Sequence, residues 1–137
     1  VKILADIGEV FAHGLAMKPG KPTIIGRIGE KAVFGLPGHP AACGFVAEII
    51  VKKLINILLG KKESESFVPL LLSENVSSNN GREEYICVKK DGGYAVPIHA
   101  KSGSVSTLCD SDGYIRIERN REGLKKNETV EVFSFGK

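Results

Sequence analysis

Between Ala41 and Leu59 apolar side chains return at helical spacing, and beyond the polar stretch Lys61 to Ser66 the pattern turns to short strands. That change of period constrains the fold more than any other feature. Val46, Ile50, Leu54, Ile57 and Leu58 form one stripe, while Glu48, Lys52 and Asn56 share the opposite face, with Glu48 four residues ahead of Lys52 and placed to pair with it. Pro40 suits a first helical position, where its missing N–H is no loss, and Gly60 suits the position just past the end.

Ahead of this predicted helix, Thr23 to Ile28 and Ala32 to Leu36 are β-branched and aromatic runs joined by Gly29-Glu30-Lys31, a β-hairpin signature. Val1 to Gly8 reads as the last turns of an amphipathic helix closed by a glycine able to take positive φ, and Glu9 to Gly14 as a short strand. Met17 to Pro22 holds two prolines and a glycine and is expected to be a shaped loop without regular structure. Past the polar break, strands are expected over Phe67 to Ser73, Glu83 to Lys90, Tyr94 to Ile98, Tyr114 to Ile117 and Glu128 to Phe135, with a short helix over Ser104 to Cys109. Short strands punctuated by Asn79-Asn80-Gly81, Asp91-Gly92-Gly93 and Asp112-Gly113 imply a small β-sandwich or barrel-like domain. The expected organisation is α/β over residues 1–60, a linker over 61–66 and a β domain over 67–137.

Composition excludes several classes. The net charge is +3, with basic pairs scattered and aromatics at 7%, so no basic face interleaved with aromatics points to nucleic acid. The most apolar stretch, Phe45 to Leu59, carries Glu48, Lys52, Lys53 and Asn56 and cannot cross a bilayer; no secretory signal opens the chain, and a cytoplasmic location is expected. Cys43, Cys87 and Cys109 have no C-x-x-C spacing and are expected to be small buried hydrophobes, and no zinc site is read from them or from His13, His39 and His99. Val1 in place of Met, with helix-like residues at once, is expected of a fragment.

The chemistry-bearing signals are two loops. At Gly35-Leu36-Pro37-Gly38-His39-Pro40 a strand passes into a helix, and unsatisfied N–H groups at a helix start, together with the helix dipole, suit an oxyanion. Gly38 lets a ligand approach the backbone. Lys18 and Lys21 sit on the proline-stiffened loop and offer two ammonium groups. Taken singly, each also reads as structure alone, a rigid corner or a solvated turn. However, both flank the same hairpin, one leading in and one leading out, so strands of equal length bring them to one end of the sheet. Arg82, after a glycine-rich turn, reads equally as a bidentate anion ligand or a surface arginine.

These loops also carry a resemblance. His13 to Pro22 followed by Phe34 to Pro40 resembles the signature of the MoeA/gephyrin family in its molybdopterin-binding domain. Gly81-Arg82-Glu83-Glu84-Tyr85, Lys101-Ser102-Gly103-Ser104 and Asp112 to Ile117 resemble that family's small C-terminal β domain in order and spacing. His39 departs from the Asn the family most often has. The resemblance implies that residues 1–60 are the C-terminal half of a three-layer α/β molybdopterin-binding domain. It implies insertion of molybdate into adenylylated molybdopterin with release of AMP, molybdopterin and molybdate being substrates. Lys18 and Lys21 would then bind phosphate or molybdate oxygens, Pro37, Gly38, His39 and Pro40 would shape the pocket, and Arg82 and Ser102 would approach from the β domain. Magnesium or another divalent cation is expected through residues outside this chain, as is a homodimer in the full-length protein. No catalytic residue is assigned, and this polypeptide alone is expected to be inactive. A non-catalytic scaffold or interaction module on the same fold is the competing reading.

Overall fold

The structure is a computed structural model that describes residues 1–61, 66–79, 81–99 and 105–136. The chain opens with α1 (Lys2–Ile7) and β1 (Glu9–His13). After β2 (Met17–Lys18) come β3 (Ile24–Ile28) and β4 (Lys31–Gly35), and these two with β1 form an antiparallel sheet in the order β1-β3-β4. The predicted hairpin is present, with Gly29-Glu30 as its connection. Leu4 of α1 is buried where the helix lies against β1 and β3. Gly8 ends α1 at φ −159°, which is extended backbone and not the left-handed cap expected.

The long helix runs as α2 (Pro40–Val46), a π-helical turn (Ala47–Val51) and α3 (Lys52–Leu58). A π turn holds one residue more than an α turn and so rotates the later side chains about the helix axis. The expected stripe accordingly divides: Val46 is fully buried and Ile50 and Leu54 half-buried, whereas Ile57 and Leu58 are 59% and 75% exposed. Glu48 and Lys52 form the expected ion pair, and Gly60 lies just past the helix at φ +64°.

Beyond it lie β5 (Phe67–Leu72), β6 (Val76–Ser77), β7 (Glu83–Asp91), β8 (Tyr94–Pro97), α4 (Val105–Asp110), β9 (Gly113–Ile117), β10 (Gly123–Leu124) and β11 (Thr129–Phe133). The order β7-β8-β5-β11-β9 closes on itself because β9 also pairs with β7, which makes a five-stranded barrel with β2 added beside β7. Of the two folds left open by the strand pattern, the barrel is the one formed. Closure removes the exposed edges that an open sheet of this size presents. It requires close packing at Gly113, where a Cβ would lie 2.3 Å from the Phe133 carbonyl oxygen. Leu72, Val88, Ala95, Ile115, Ile117 and Val132 have no exposed surface in the interior, and each fully buried Ile or Leu contributes about 1.5–3 kcal/mol. The two-residue pair β6–β10 is too short to leave a pattern in the sequence.

A second core lies outside the barrel. Phe45 and Val46 pack on Met17, Tyr85 and Cys87, with Tyr114 and Phe135 half-buried around them. Phe45 meets Tyr114 and Phe135 edge-on at centroid distances of 5.7 and 5.5 Å, a geometry that favours the ring quadrupoles. The helix therefore buries its apolar side on the outer wall of the barrel. Strand β7 serves both interiors: Val88 and Ile86 face inward, Tyr85 and Cys87 face the helix. Burial pushes the Cys87 thiol up, partly offset by a hydrogen bond from Ser111. Cys43 is only half-buried and Cys109 is exposed, so the expectation of three buried cysteines holds for Cys87 alone. No helix among the described residues is long and apolar enough to cross a membrane.

Candidate functional site

The register of the hairpin decides where the two loops lie. Ile24 pairs with Gly35 and His13 pairs with Ile24, so the segment entering β3 and the segment leaving β4 meet at one end of the sheet. The entering loop is held by its own backbone: Gly14 N–H donates to Thr23 O at 2.8 Å and Leu15 N–H to Lys21 O at 2.8 Å. Thr23, fully buried, donates its hydroxyl to Gly20 O at 2.7 Å. Lys18-Pro19 is a cis peptide. Lys21 is exposed, and among the described residues no carboxylate is paired with it.

Contrary to the expectation of no regular structure in this loop, Met17 and Lys18 form β2, in parallel register with Glu83 and Glu84 of β7. Pairing exists because the barrel wall offers an unpaired strand segment there; sequence-local rules for proline and glycine cannot anticipate a partner so distant along the chain. The consequence for the site is direct. Arg82, exposed, sits one residue before the paired stretch, and Glu83 N–H donates to Ala16 O at 2.9 Å, so the arginine's backbone is fixed beside the lysine loop. Ser102 lies outside the described residues.

The leaving loop has Pro37 buried and Gly38, His39 and Pro40 exposed. A Cβ built on Gly38 meets nothing within 4 Å, so this backbone is open to a ligand. The helix start itself offers less than expected. Pro40 has no N–H, Ala42 N–H points to the His39 ring Nδ1 at 3.4 Å, and Cys43 N–H bonds His39 O at 2.9 Å. His39 thus acts as the N-cap, a role that an Asn side chain also fills.

Two residues given no role from the sequence, Glu84 and Ser78, matter here. The Lys18 ammonium lies 2.7 Å from Glu84 Oε1, and Ser78 Oγ donates to Glu84 Oε2 at 2.8 Å. Glu84 is nearly buried, at 9% exposure. Its signal is present in the alternation of β7: Glu84 shares a face with Ile86 and Val88, and a carboxylate on a core face requires a partner. Next to it, Tyr85 donates its hydroxyl to Glu83 at 3.0 Å, and burial first, then the Glu83 charge, push the phenol up.

A cleft of about 720 Å³ opens between the helix and the barrel, with Lys52, Arg116 and Arg119 on its walls and Tyr85 and Phe135 among its rings. It reaches Ala16, Met17 and Glu83 but not Lys18, Lys21, Gly38 or Arg82, so this cleft and the expected anion ligands are neighbours and not one site. Among the described residues no group of three or more His, Cys, Asp or Glu side chains is arranged to hold a metal ion.

Residues 69–135 match the model of the MoeA C-terminal region, domain IV. Over 133 residues the chain is 35% identical to a protein of Methanocaldococcus jannaschii named for molybdopterin biosynthesis, covering 97% of this chain and 32% of that one. It is 28% identical over 130 residues to the molybdopterin molybdenumtransferase of Bacillus subtilis, covering 90% of this chain and 30% of the relative. A crystal structure of the molybdopterin biosynthesis MoeA protein from Pyrococcus horikosii superposes with a TM-score of 0.88 at 39% identity, over 99% of this chain and 34% of that one. A molybdenum cofactor biosynthesis protein from Pyrococcus furiosus superposes with a TM-score of 0.81 at 32% identity, over 92% of this chain and 45% of that one. The chain spans about a third of the length of the curated relatives it matches.

Proposed function

We infer that this chain, which belongs to the MoeA family through its C-terminal region, supplies the anion-binding face of a molybdopterin molybdenumtransferase acting in molybdenum cofactor biosynthesis. The reaction is insertion of molybdate into adenylylated molybdopterin with release of AMP. It exchanges ligands at molybdenum and cleaves a phosphoanhydride, so the protein must position several anions and neutralise their charge. Residues 1–60 are then the C-terminal half of the three-layer α/β domain, 61–66 the linker, and 67–137 the small C-terminal domain. A homodimer and a cytoplasmic location go with this reading.

One observation carries it: the hairpin register sets the Lys18 loop and the loop of the open Gly38 backbone at one end of the sheet, and the β2–β7 pairing sets the residue after Arg82 beside that same lysine loop. Lys21 supplies charge and Lys18 a donor. Arg82 has the planar fork that matches two oxygens of one phosphate or molybdate. Gly38 and His39, with Pro37 and Pro40 fixing their backbone, form the rim, and Ser102, outside the described residues, is part of the same proposal as a substrate-binding residue. The described residues do not fit a divalent cation, and no step through one is assigned to this chain.

Titration calorimetry of the polypeptide with molybdate and with AMP tests the reading. Measurable binding that Lys21→Ala or Arg82→Ala weakens about tenfold, with an unchanged melting temperature, supports it. A second reading has one observation in its favour. Lys18 is already neutralised by Glu84, as a lysine in a purely structural clamp between loop and barrel would be. On that reading the module is a scaffold, neither anion binds, and Lys18→Ala lowers stability alone.

A further inference from the structure

Glu84 is the buried carboxylate among the described residues, and both of its oxygens are held, one by Lys18 and one by Ser78. A carboxylate taken out of water is retained only where its lone pairs are met. Here they are met by a loop on one side and by the barrel's own Ser78 on the other. The Lys18 side chain remains 55% exposed. An ammonium has three protons, so the bond to Glu84 leaves two directed elsewhere. A free surface lysine samples many rotamers and loses that freedom when it binds; one already tethered at 2.7 Å has lost it beforehand. The backbone adds a second restraint, since Lys18 and Glu84 are direct partners in the β2–β7 pairing.

We propose that Glu84, itself fixed by Ser78, is a positioning residue that holds the Lys18 ammonium ready for an anionic oxygen. The proposal rests on the reading that Lys18 takes such an oxygen. It also assigns Lys18 a particular job. With its charge offset by Glu84 it works as an oriented donor, and net attraction for the anion falls to Lys21 and Arg82.

The alternative is that Glu84 only competes with the anion for Lys18, and the two ideas predict opposite results. Molybdate affinity is measured by calorimetry on the wild-type chain, Glu84→Ala, Glu84→Gln, Ser78→Ala, Lys18→Ala and the Lys18→Ala/Glu84→Ala double variant. Positioning predicts a loss of about tenfold in Glu84→Ala, and within about threefold of wild type in Glu84→Gln, whose amide oxygen accepts the same bond. Ser78→Ala, which leaves the carboxylate in place, loses about threefold and carries the test if Glu84→Ala does not fold. Removing Glu84 from Lys18→Ala has no further effect. Unchanged or tighter binding in Glu84→Ala, or in Ser78→Ala if that must stand in for it, overturns the proposal. If wild-type chain binds no molybdate, the proposed function fails and the positioning is read without ligand. A slowly exchanging Lys18 ammonium signal in nitrogen-15 NMR, lost in Glu84→Ala or Ser78→Ala, supports it, and a signal indifferent to both overturns it.

Discussion

The barrel and the first 60 residues solve the same problem unequally. The barrel closes its hydrogen bonding and fills its interior with side chains that have no exposed surface. The earlier segment has a three-stranded sheet touched by one short helix, and it leaves Ile3, Ile7 and Phe11 exposed near its start and Ile55, Ile57, Leu58 and Leu59 exposed along the last turns of its long helix. Its best-buried apolar side chains, Phe45 and Val46, are buried against the barrel. The difference teaches that an element's amphipathic pattern reports a face needing cover without saying what covers it. One region is covered by itself, the other by its neighbour.

The largest effect should come from opening the barrel core. Ile115→Ala is expected to cost about 2–5 kcal/mol, whereas Ile57→Ala, at the exposed helix end, should cost less than about 0.5 kcal/mol. Urea unfolding of both variants measures the contrast; equal costs would break it. Next comes the shared interface. Phe45→Ala should weaken the contact between the regions and expose residues 1–60 to limited proteolysis, leaving a resistant barrel. Simultaneous digestion of both would mean that the barrel depends on the helix as much as the helix on it.

How much of this was legible depends on where the determining contacts lie. The hairpin, the helix and its capping residues, and five of the barrel strands are written in short-range periodicity and turn chemistry, and they stand within a residue or two of expectation. The shared end of the two candidate loops was legible too, because a hairpin's register fixes it. What failed depends on distant partners. The π turn between α2 and α3 leaves no mark in the apolar periodicity, and β2 exists because β7 accepts it. The Lys18–Glu84 pair is of this kind as well, although a glutamate on the core face of a strand was a visible request for a cation.

A third expectation sharpens the comparison by association. The polypeptide alone should self-associate or bind a hydrophobic dye, and replacing Ile55, Ile57 and Leu58 with Gln should suppress this without changing the urea midpoint of the barrel. Strictly monomeric behaviour with no dye binding would mean that the exposed face is satisfied by water. The smallest effect belongs to the barrel surface. Glu128 accepts from Lys125 N–H and pairs with Arg121, and these contacts hold its carboxyl below the usual range. A depressed carboxylate stabilises the fold above its unfolded pKa and loses that contribution as pH falls through its folded one. Glu128→Gln should therefore cost about 0.5 kcal/mol at pH 7 in thermal melts, and the gap to wild type should close in acid. A gap independent of pH would assign the effect to packing.

Strand β7 has a consequence for how sequences of this kind can diverge. Its successive side chains alternate between two separate interiors, Ile86 and Val88 in one and Tyr85 and Cys87 in the other. Because the alternation has a period of two, an insertion or deletion of a single residue between Glu83 and Val88 would exchange the contents of both interiors at once, sending an aromatic ring into the barrel and β-branched groups to the helix. It would also carry Glu84 away from Lys18. Substitutions along this strand can be tried one at a time, but its length is a single locked variable, and we expect related chains to vary freely in the turns on either side while keeping the residue count between those two positions constant.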